Sequence, residues 1–197
     1  VGFSFSFNQN EGYYIPILFP GNIEGYDLNK DEVLSELKDI LESSSISFIG
    51  QNIKYDCIIL SRLGINVLNI SFDTMIAAHL INPMKSAYKL DDLSIEYLNY
   101  QKIDIESLIG YKGNQISMSE VEVNKIRDYA CEDADVALKL YFKLEKILEQ
   151  KKLSKVFYDL EIPFIKVLVN LEKNGLFVNL EILKSLSMKI SQEIKEL

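Results

Sequence analysis

Two short clusters of polar residues in this sequence carry side chains that can bind metal ions or take part in acid–base chemistry. The first runs from Gly50 to Asp56 with the sequence Gly-Gln-Asn-Ile-Lys-Tyr-Asp, and the second runs from Tyr129 to Asp135 with the sequence Tyr-Ala-Cys-Glu-Asp-Ala-Asp. Carboxylates can hold divalent metal ions, and a phenol beside a carboxylate can orient a water molecule for attack. The elements on which the clusters lie decide whether these side chains can act together.

In the first cluster, Asp56 follows the end of a predicted strand. Residues 47–49 are typical of a short buried strand, Gly50 permits a sharp turn, and a helix is predicted from about Lys54 to Leu63. The carboxylate of Asp56 is therefore expected in the first helical turn, facing the cleft in which open α/β sheets bind ligands. A structural interpretation is favoured for this cluster alone, in which Asp56 only complements the helix dipole.

In the second cluster, Tyr129 and Asp133 are four residues apart on a long predicted helix, 120–150, and therefore share one face. The spacing predicts that Asp135 and Glu132 point away from Asp133. The phenol and the carboxylate can then serve one reacting centre. The alternative, favoured for this cluster alone, is a solvated acidic face beside a core tyrosine.

The remaining patterns predict an α/β domain with a mixed sheet flanked by helices. Val1–Phe7 and Tyr13–Phe19 are β-rich and are separated by turn residues, which predicts an antiparallel hairpin. Strands then alternate with helices, as in an α/β fold. The further predicted elements are helices over 31–41, 75–81 and 90–98, a strand over 67–72, and a turn-rich segment over 99–118.

The last forty or so residues differ in character from the rest. A helix is predicted over Leu160–Asn174, ended by Gly175, and Asn179 is placed to cap another helix. These helices are too few to bury a core of their own. We therefore predict one domain over 1–154 and the edge of a second domain over 155–197.

Composition limits the classes of function. The 197 residues carry a net charge of −8, which argues against a protein that coats duplex DNA through its phosphates. An enzyme that binds a few nucleotides with the help of metal ions remains compatible. Cys57 and Cys131 lie in no CxxC motif, and a single His79 cannot form a zinc site. Neither a membrane span nor a secretory signal is expected, and two cysteines without a CxxC motif favour a reduced intracellular compartment.

Taken together, the two clusters resemble the second and third motifs of the 3′–5′ exonuclease domain of family-A DNA polymerases, within the tyrosine version of the DEDD exonucleases. The resemblance extends over nearly the whole chain. Further matching segments are Val1-Gly2-x-Ser4-Phe5, Tyr14-Ile15-Pro16, Phe72-Asp73-Thr74-Met75, Gly113-x-Gln115, Glu161-x-Pro163 and Asn174-Gly175. It implies a ribonuclease H-like fold, with the helical start of a polymerase domain over 155–197. It also implies a location in the bacterial cytoplasm, associated with the nucleoid, or in a DNA-containing organelle.

The resemblance also implies proofreading by two-metal hydrolysis at a single-stranded DNA 3′ end, with the polymerase domain of the same chain as partner. Two divalent ions are implied, Mg²⁺ or Mn²⁺, with Zn²⁺ as an alternative at one site. Asp133 matches the carboxylate that holds the first metal, Tyr129 matches the residue that orients the water, and Asp56 matches a carboxylate that serves the second metal. Positions matched to the DNA cleft are Gln51, Asn52 and Tyr55; Ile105 stands where the family often has an aromatic residue.

One expected motif, Asp-x-Glu, does not occur before the first cluster. In the family it lies on a central strand just before the region that matches Val1. Truncation of a longer natural chain is the favoured explanation, because the other two motifs are intact; natural loss is the alternative. The rival functions are an inert scaffold for the polymerase and an RNA 3′-trimming nuclease.

Overall fold

The computed structural model describes residues 2–17, 28–111 and 113–196. The chain opens with the predicted hairpin, in which β1 (Gly2–Phe5) pairs antiparallel with β2 (Tyr13–Pro16). Both strands are shorter than predicted, and the predicted strand residues at 1, 18 and 19 lie outside the described residues. The turn uses Asn10 at a φ of 68°, in the left-handed region that asparagine tolerates.

A β-α-β unit follows the hairpin. Strand β3 (Phe48–Gly50) runs parallel to β4 (Ile70–Asp73), with Gly50 beside Asp73 at the carboxyl ends of both strands. Strand β4 begins later than predicted, because the amide of Leu68 donates to the carbonyl of Leu41 instead of joining the ladder. Over the described residues the antiparallel pair and the parallel pair form two separate sheets. The predicted α/β class with both kinds of pairing is confirmed.

The helices lie close to their predicted positions. Asn29 caps the first helix through the amides of Asp31 and Glu32, and Gly175 ends the eighth with a φ of 69°. The helices are α1 (Lys30–Leu41), α2 (Ile53–Arg62), α3 (Thr74–Ile81), α4 (Leu90–Leu93), α5 (Ile105–Ile109), α6 (Val123–Gln150), α7 (Ser154–Val156), α8 (Ile162–Asn174) and α9 (Leu180–Glu196), with π-helical turns at Ser94–Leu98 and Phe157–Glu161.

The long helix begins at Val123 and not at Glu120 as predicted. Ser117 and Glu120 form a capping box around a 3₁₀ turn, so Glu120 ends that turn before the helix starts. The backbone is extended at Val121. Glu120, where the helix was predicted to begin, therefore belongs to the capping box instead.

The main core lies between α6, β4 and the segment after α6. Leu140, Leu144 and Leu148 are fully buried along one face of α6, as the spacing of four residues requires. The rings of Phe72 and Phe157 lie with their centroids 4.7 Å apart. Phe157 thus packs into the first domain's core from beyond residue 154. The division into 1–154 and 155–197 stays a prediction.

Cys57, Cys131 and His79, which form no metal or redox motif in the sequence, take ordinary packing positions. Cys57 belongs to the main core, and the ring of His79 meets that of Tyr88 edge-on at 5.2 Å. Both cysteines are free. A Cβ placed on Gly12 would lie 2.5 Å from that of Cys131, so the hairpin approaches α6 closely.

In the described part of the chain, no helix has both the length and the apolar character to cross a membrane.

Candidate active site

Asp56 lies where the sequence predicts, in the first turn of α2. Between β3 and α2 the chain turns sharply at Asn52, which has a φ of 56°. Although Asp56 is exposed at the surface, the protein around its carboxyl group excludes enough water to raise its pKa to about 6, with a further contribution from the negative charge of Asp73. A carboxyl group with a raised pKa is typical of a site that binds a cation or transfers a proton.

Asp73 is a fully buried carboxylate next to Asp56. One of its oxygens accepts from the amide of Ile53 at 2.8 Å, and the other accepts from Met75 at 2.8 Å and Ile76 at 3.1 Å. Burial raises its pKa against the lowering effect of these amides. Asp73 therefore joins the amino ends of α2 and α3, close enough to Asp56 for its charge to act on that carboxyl group.

In the sequence, Asp73 stands out only as part of the segment Phe72-Asp73-Thr74-Met75, which matches the family. The available signal was an acidic residue after a predicted strand and before a predicted helix, which is an N-cap position. Its link to α2 depends on the parallel pairing of β3 with β4, which no local pattern reveals.

The predicted DNA-cleft residues differ in their availability. Gln51 is already engaged on both sides of its amide, because it donates to the carbonyl of Tyr88 at 2.8 Å and accepts from the hydroxyl of Thr74. Asn52 is partly buried in the left-handed turn. The ring of Tyr55 is 60% exposed, so it is free to contact a ligand. The assignment of these three residues to a DNA cleft stays a prediction.

Tyr129 and Asp133 lie together on one face of α6, with a buried lysine between them and a second aspartate. The Nζ atom of Lys102 is 2.9 Å from Asp133 Oδ1 and 2.7 Å from Asp91 Oδ1, and it lies 4.5 Å from the centroid of the Tyr129 ring. Asp133 Oδ1 is shielded from solvent, and the ammonium of Lys102 is the cation that lies against it.

This arrangement sets the charge states of the pair. Burial raises the pKa of Tyr129 to about 12, and the negative charge of Asp133 contributes to the rise. The phenol therefore keeps its proton at neutral pH and can donate a hydrogen bond. The pKa of Asp133 is also raised, because its burial outweighs the lowering effects of Lys102 and Tyr129.

The other two acids of the second cluster point elsewhere, as the spacing predicts. Glu132 accepts from the hydroxyl of Tyr100 and from the amide of Ile103, both at 2.6 Å. Asp135 accepts from the amide of Asn10 at 2.7 Å and pairs with Lys139 at 2.6 Å. Glu132 thus holds the segment that carries Lys102, and Asp135 holds the turn of the hairpin.

The structure therefore brings together one predicted pair, Tyr129 with Asp133, and it places Asp56 in a second pair with Asp73, which was not predicted as a site residue. Within the described ranges, no hydrogen bond or ion pair links the two pairs directly. The same ranges contain no group of three or more His, Cys, Asp or Glu side chains arranged to hold a metal ion. Both oxygens of Asp73 already accept backbone amides, and Asp133 faces Lys102. These residues alone do not fit a complete two-metal centre.

Comparison with known proteins gives the sequence relationships of the chain. A family model described as 3′-5′ exonuclease matches residues 1–149. DNA polymerase I of Borreliella burgdorferi is 36% identical over 184 residues, covering 93% of this chain and 19% of that protein. DNA polymerase I of Pseudomonas aeruginosa is 30% identical over 197 residues, covering 98% of this chain and 22% of that protein. The chain thus spans about a fifth of the length of these relatives.

Solved structures share the fold. The POL domain of Pol1 from M. smegmatis, in complex with DNA primer-template and dNTP, has a TM-score of 0.69 at 19% identity and covers 94% of this chain and 27% of that one. Brucella melitensis NrnC with bound Mg²⁺ has a TM-score of 0.59 at 22% identity and covers 71% of this chain and 64% of that one. These likenesses confirm the predicted ribonuclease H-like fold.

Proposed function

The chain belongs to the 3′–5′ exonuclease family found in family-A DNA polymerases, and on that premise we propose that it is the proofreading module of a DNA polymerase I. It would remove nucleotides from a mispaired DNA 3′ end. The observation that carries the proposal is the half-buried Tyr129–Asp133 pair, in which the phenol stays protonated beside the carboxylate.

Four residues have defined roles under this proposal. The Tyr129 hydroxyl orients the attacking water through a hydrogen bond. Asp133 and Asp56 are the carboxylates that would hold divalent ions, whose chemistry when bound is to activate water and stabilise the leaving oxygen. The exposed ring of Tyr55 would contact a base or sugar of the strand that enters.

A further strand between the two sheets would complete the site. The antiparallel pair and the parallel pair are separate over the described residues, yet Phe3 of β1 and Phe48 of β3 pack against the same small apolar cluster. Among the described residues, the backbone groups on the edge of β1 away from β2 and on the edge of β3 away from β4 therefore have no hydrogen-bond partner in another strand. Leaving them unpaired is costly unless a further strand covers them. We propose that the longer polymerase chain supplies this strand, with the Asp-x-Glu carboxylates on it.

The segment after α8 supports a polymerase domain as neighbour. All described residues from 170 to 196 are exposed, including large apolar ones such as Leu176 at 82% and Phe177 at 96%. An exposed apolar surface of this extent is typical of an interface. Residues 155–197 are proposed as the beginning of that domain.

A cleavage assay tests the proposal. The polymerase that contains this chain is given 3′-tailed single-stranded DNA and Mg²⁺ or Mn²⁺, and Asp133→Ala is expected to reduce exonuclease rate by at least about a hundredfold. Asp128→Ala is the matched control, since Asp128 is an exposed acid on the same helix that pairs with Arg127. Equal exonuclease activity in wild type and Asp133→Ala would contradict the proposal.

An RNA 3′-trimming nuclease is the second candidate, because the fold is shared with Brucella melitensis NrnC bound to pGG. DNA and RNA oligonucleotides of the same sequence separate the two functions. Faster cleavage of the RNA would favour trimming, and faster cleavage of the DNA would favour proofreading. An inert scaffold would cleave neither.

A further inference from the structure

Lys102 is a charged side chain buried beside the candidate carboxylate. Its side chain is 3% exposed, although lysine is almost never fully buried unless it is paired. Its ammonium group contacts Asp91 and Asp133 at the distances given above, and it donates to the carbonyl of Ile103 at 3.0 Å. The face of Tyr129 lies on a further side. Four groups of the protein thus surround one cation.

The backbone around Lys102 is fixed on both sides. Glu132 accepts from the hydroxyl of Tyr100 and from the amide of Ile103, which flank Lys102 in the chain. The hydroxyl of Ser94 donates to the carbonyl of Tyr100 at 2.7 Å. Because Glu132 directly precedes Asp133 on α6, the helix that presents the carboxylate also positions the lysine that neutralises it.

The two partners of Lys102 differ in their surroundings. The side chain of Asp91 is 48% exposed, and that of Asp133 is 28% exposed. Asp91 therefore offers the ammonium a second carboxylate nearer the solvent, 2.7 Å from Nζ. A divalent ion at Asp133 Oδ1 would otherwise meet a positive charge 2.9 Å from its ligand atom, and like charges at such distances repel strongly in a partly buried site.

We propose that Lys102 is a built-in counter-cation, which occupies the side of Asp133 where a divalent ion would bind and so weakens metal binding there. Metal binding then requires the ammonium to withdraw toward Asp91. The lysine acts through Asp133 and is a positioning residue. The inference rests on the proposed function in one respect, namely that Asp133 is a metal ligand.

The test is direct measurement of Mn²⁺ binding to the polymerase that contains this chain, by the loss of the free-ion electron paramagnetic resonance signal at neutral pH. Lys102→Met removes the charge and keeps the length of the side chain, and it is expected to bind Mn²⁺ at least about tenfold more tightly than wild type. Lys102→Arg keeps the charge and is expected to show no such gain. Asp133→Asn added to Lys102→Met is expected to abolish the gain.

Circular dichroism establishes that each variant is folded, and Lys102→Gln, which retains a polar head group, replaces Lys102→Met if the latter unfolds. Mn²⁺ affinity that depends on Asp133 but does not rise when Lys102 is neutralised would overturn the inference and leave the proposed function standing. Mn²⁺ binding that is indifferent to Asp133→Asn in both backgrounds would overturn the inference together with the metal role of Asp133.

Discussion

Among single residues, Asp73 shows how a side chain outside the proposed chemistry holds the site in place. It is fully buried, it caps α3, and it accepts from the first amide of α2. Asp56 depends on it twice, through the position of α2 and through the negative charge that helps to raise the pKa of Asp56. Any change at Asp73 should therefore alter stability before it alters chemistry.

We predict that Asp73→Ala lowers the free energy of unfolding by about 2 kcal/mol, because a helix cap is lost and a buried amide is left without an acceptor. Asp104→Ala is the matched control. Asp104 caps the short helix α5 through one exposed hydrogen bond from Glu106, so its loss should cost about 0.5 kcal/mol. Urea unfolding measures both. A smaller loss for Asp73→Ala than for Asp104→Ala would contradict the prediction.

Sequence patterns predicted only those features of the site that depend on local helix geometry. The spacing of Tyr129 and Asp133 placed them on one face of a helix, and it turned Glu132 away from Asp133. Lys102 was not predicted, because it reaches α6 from a segment thirty or so positions earlier and is held there by tertiary hydrogen bonds. A buried ion pair between distant segments leaves no periodic signal in the sequence.

At the scale of elements, α6 is the helix against which the hairpin, β3 and α3 pack. Its apolar face is continuous, with Leu140, Leu144 and Leu148 each at 0% exposure. The same helix carries Tyr129 and Asp133 near its start. Changes in the packing of α6 are therefore expected to disturb the site as well as the fold.

We predict that Leu144→Ala lowers the free energy of unfolding by about 3 kcal/mol, because it removes buried methyl groups and leaves a cavity. Leu186→Ala is the control on α9, where the leucine is 48% exposed, and it is expected to stay within about 0.5 kcal/mol of wild type. Thermal or urea unfolding distinguishes the two. Equal effects at both positions would mean that α9 is packed in solution.

Element types followed from the sequence more reliably than element ends. Helical periodicity identified α6, but the capping box at Ser117 and Glu120 moved its start, since side-chain caps compete with the helix for the same amides. Likewise, Leu68 bonds to Leu41 and shortens β4. Both departures come from specific hydrogen bonds that average propensities do not contain.

Over the whole molecule, the buried core ends well before the chain does. Ile165 is 1% exposed, whereas every described residue from 170 onward is exposed. The α/β class could be predicted because strands and helices alternate in the sequence. The separation into two sheets could not, since it depends on which strand edges meet.

We predict that a chain ending at Gly175 keeps the free energy of unfolding within about 0.5 kcal/mol, because the residues removed bury no side chain in the core. It should also self-associate less, since a large exposed apolar surface is removed. Urea unfolding and sedimentation velocity measure these two properties. A loss above about 1 kcal/mol would show that α9 contributes to the core.

Phe157 packs against Phe72, and Ile165 belongs to the same buried cluster. A ribosome releases the chain from its amino end, so the hairpin, the parallel strands and α6 emerge before these residues do. We therefore expect the apolar face of β4 to stay accessible to chaperones and to other nascent chains until residues 157–165 have left the ribosome.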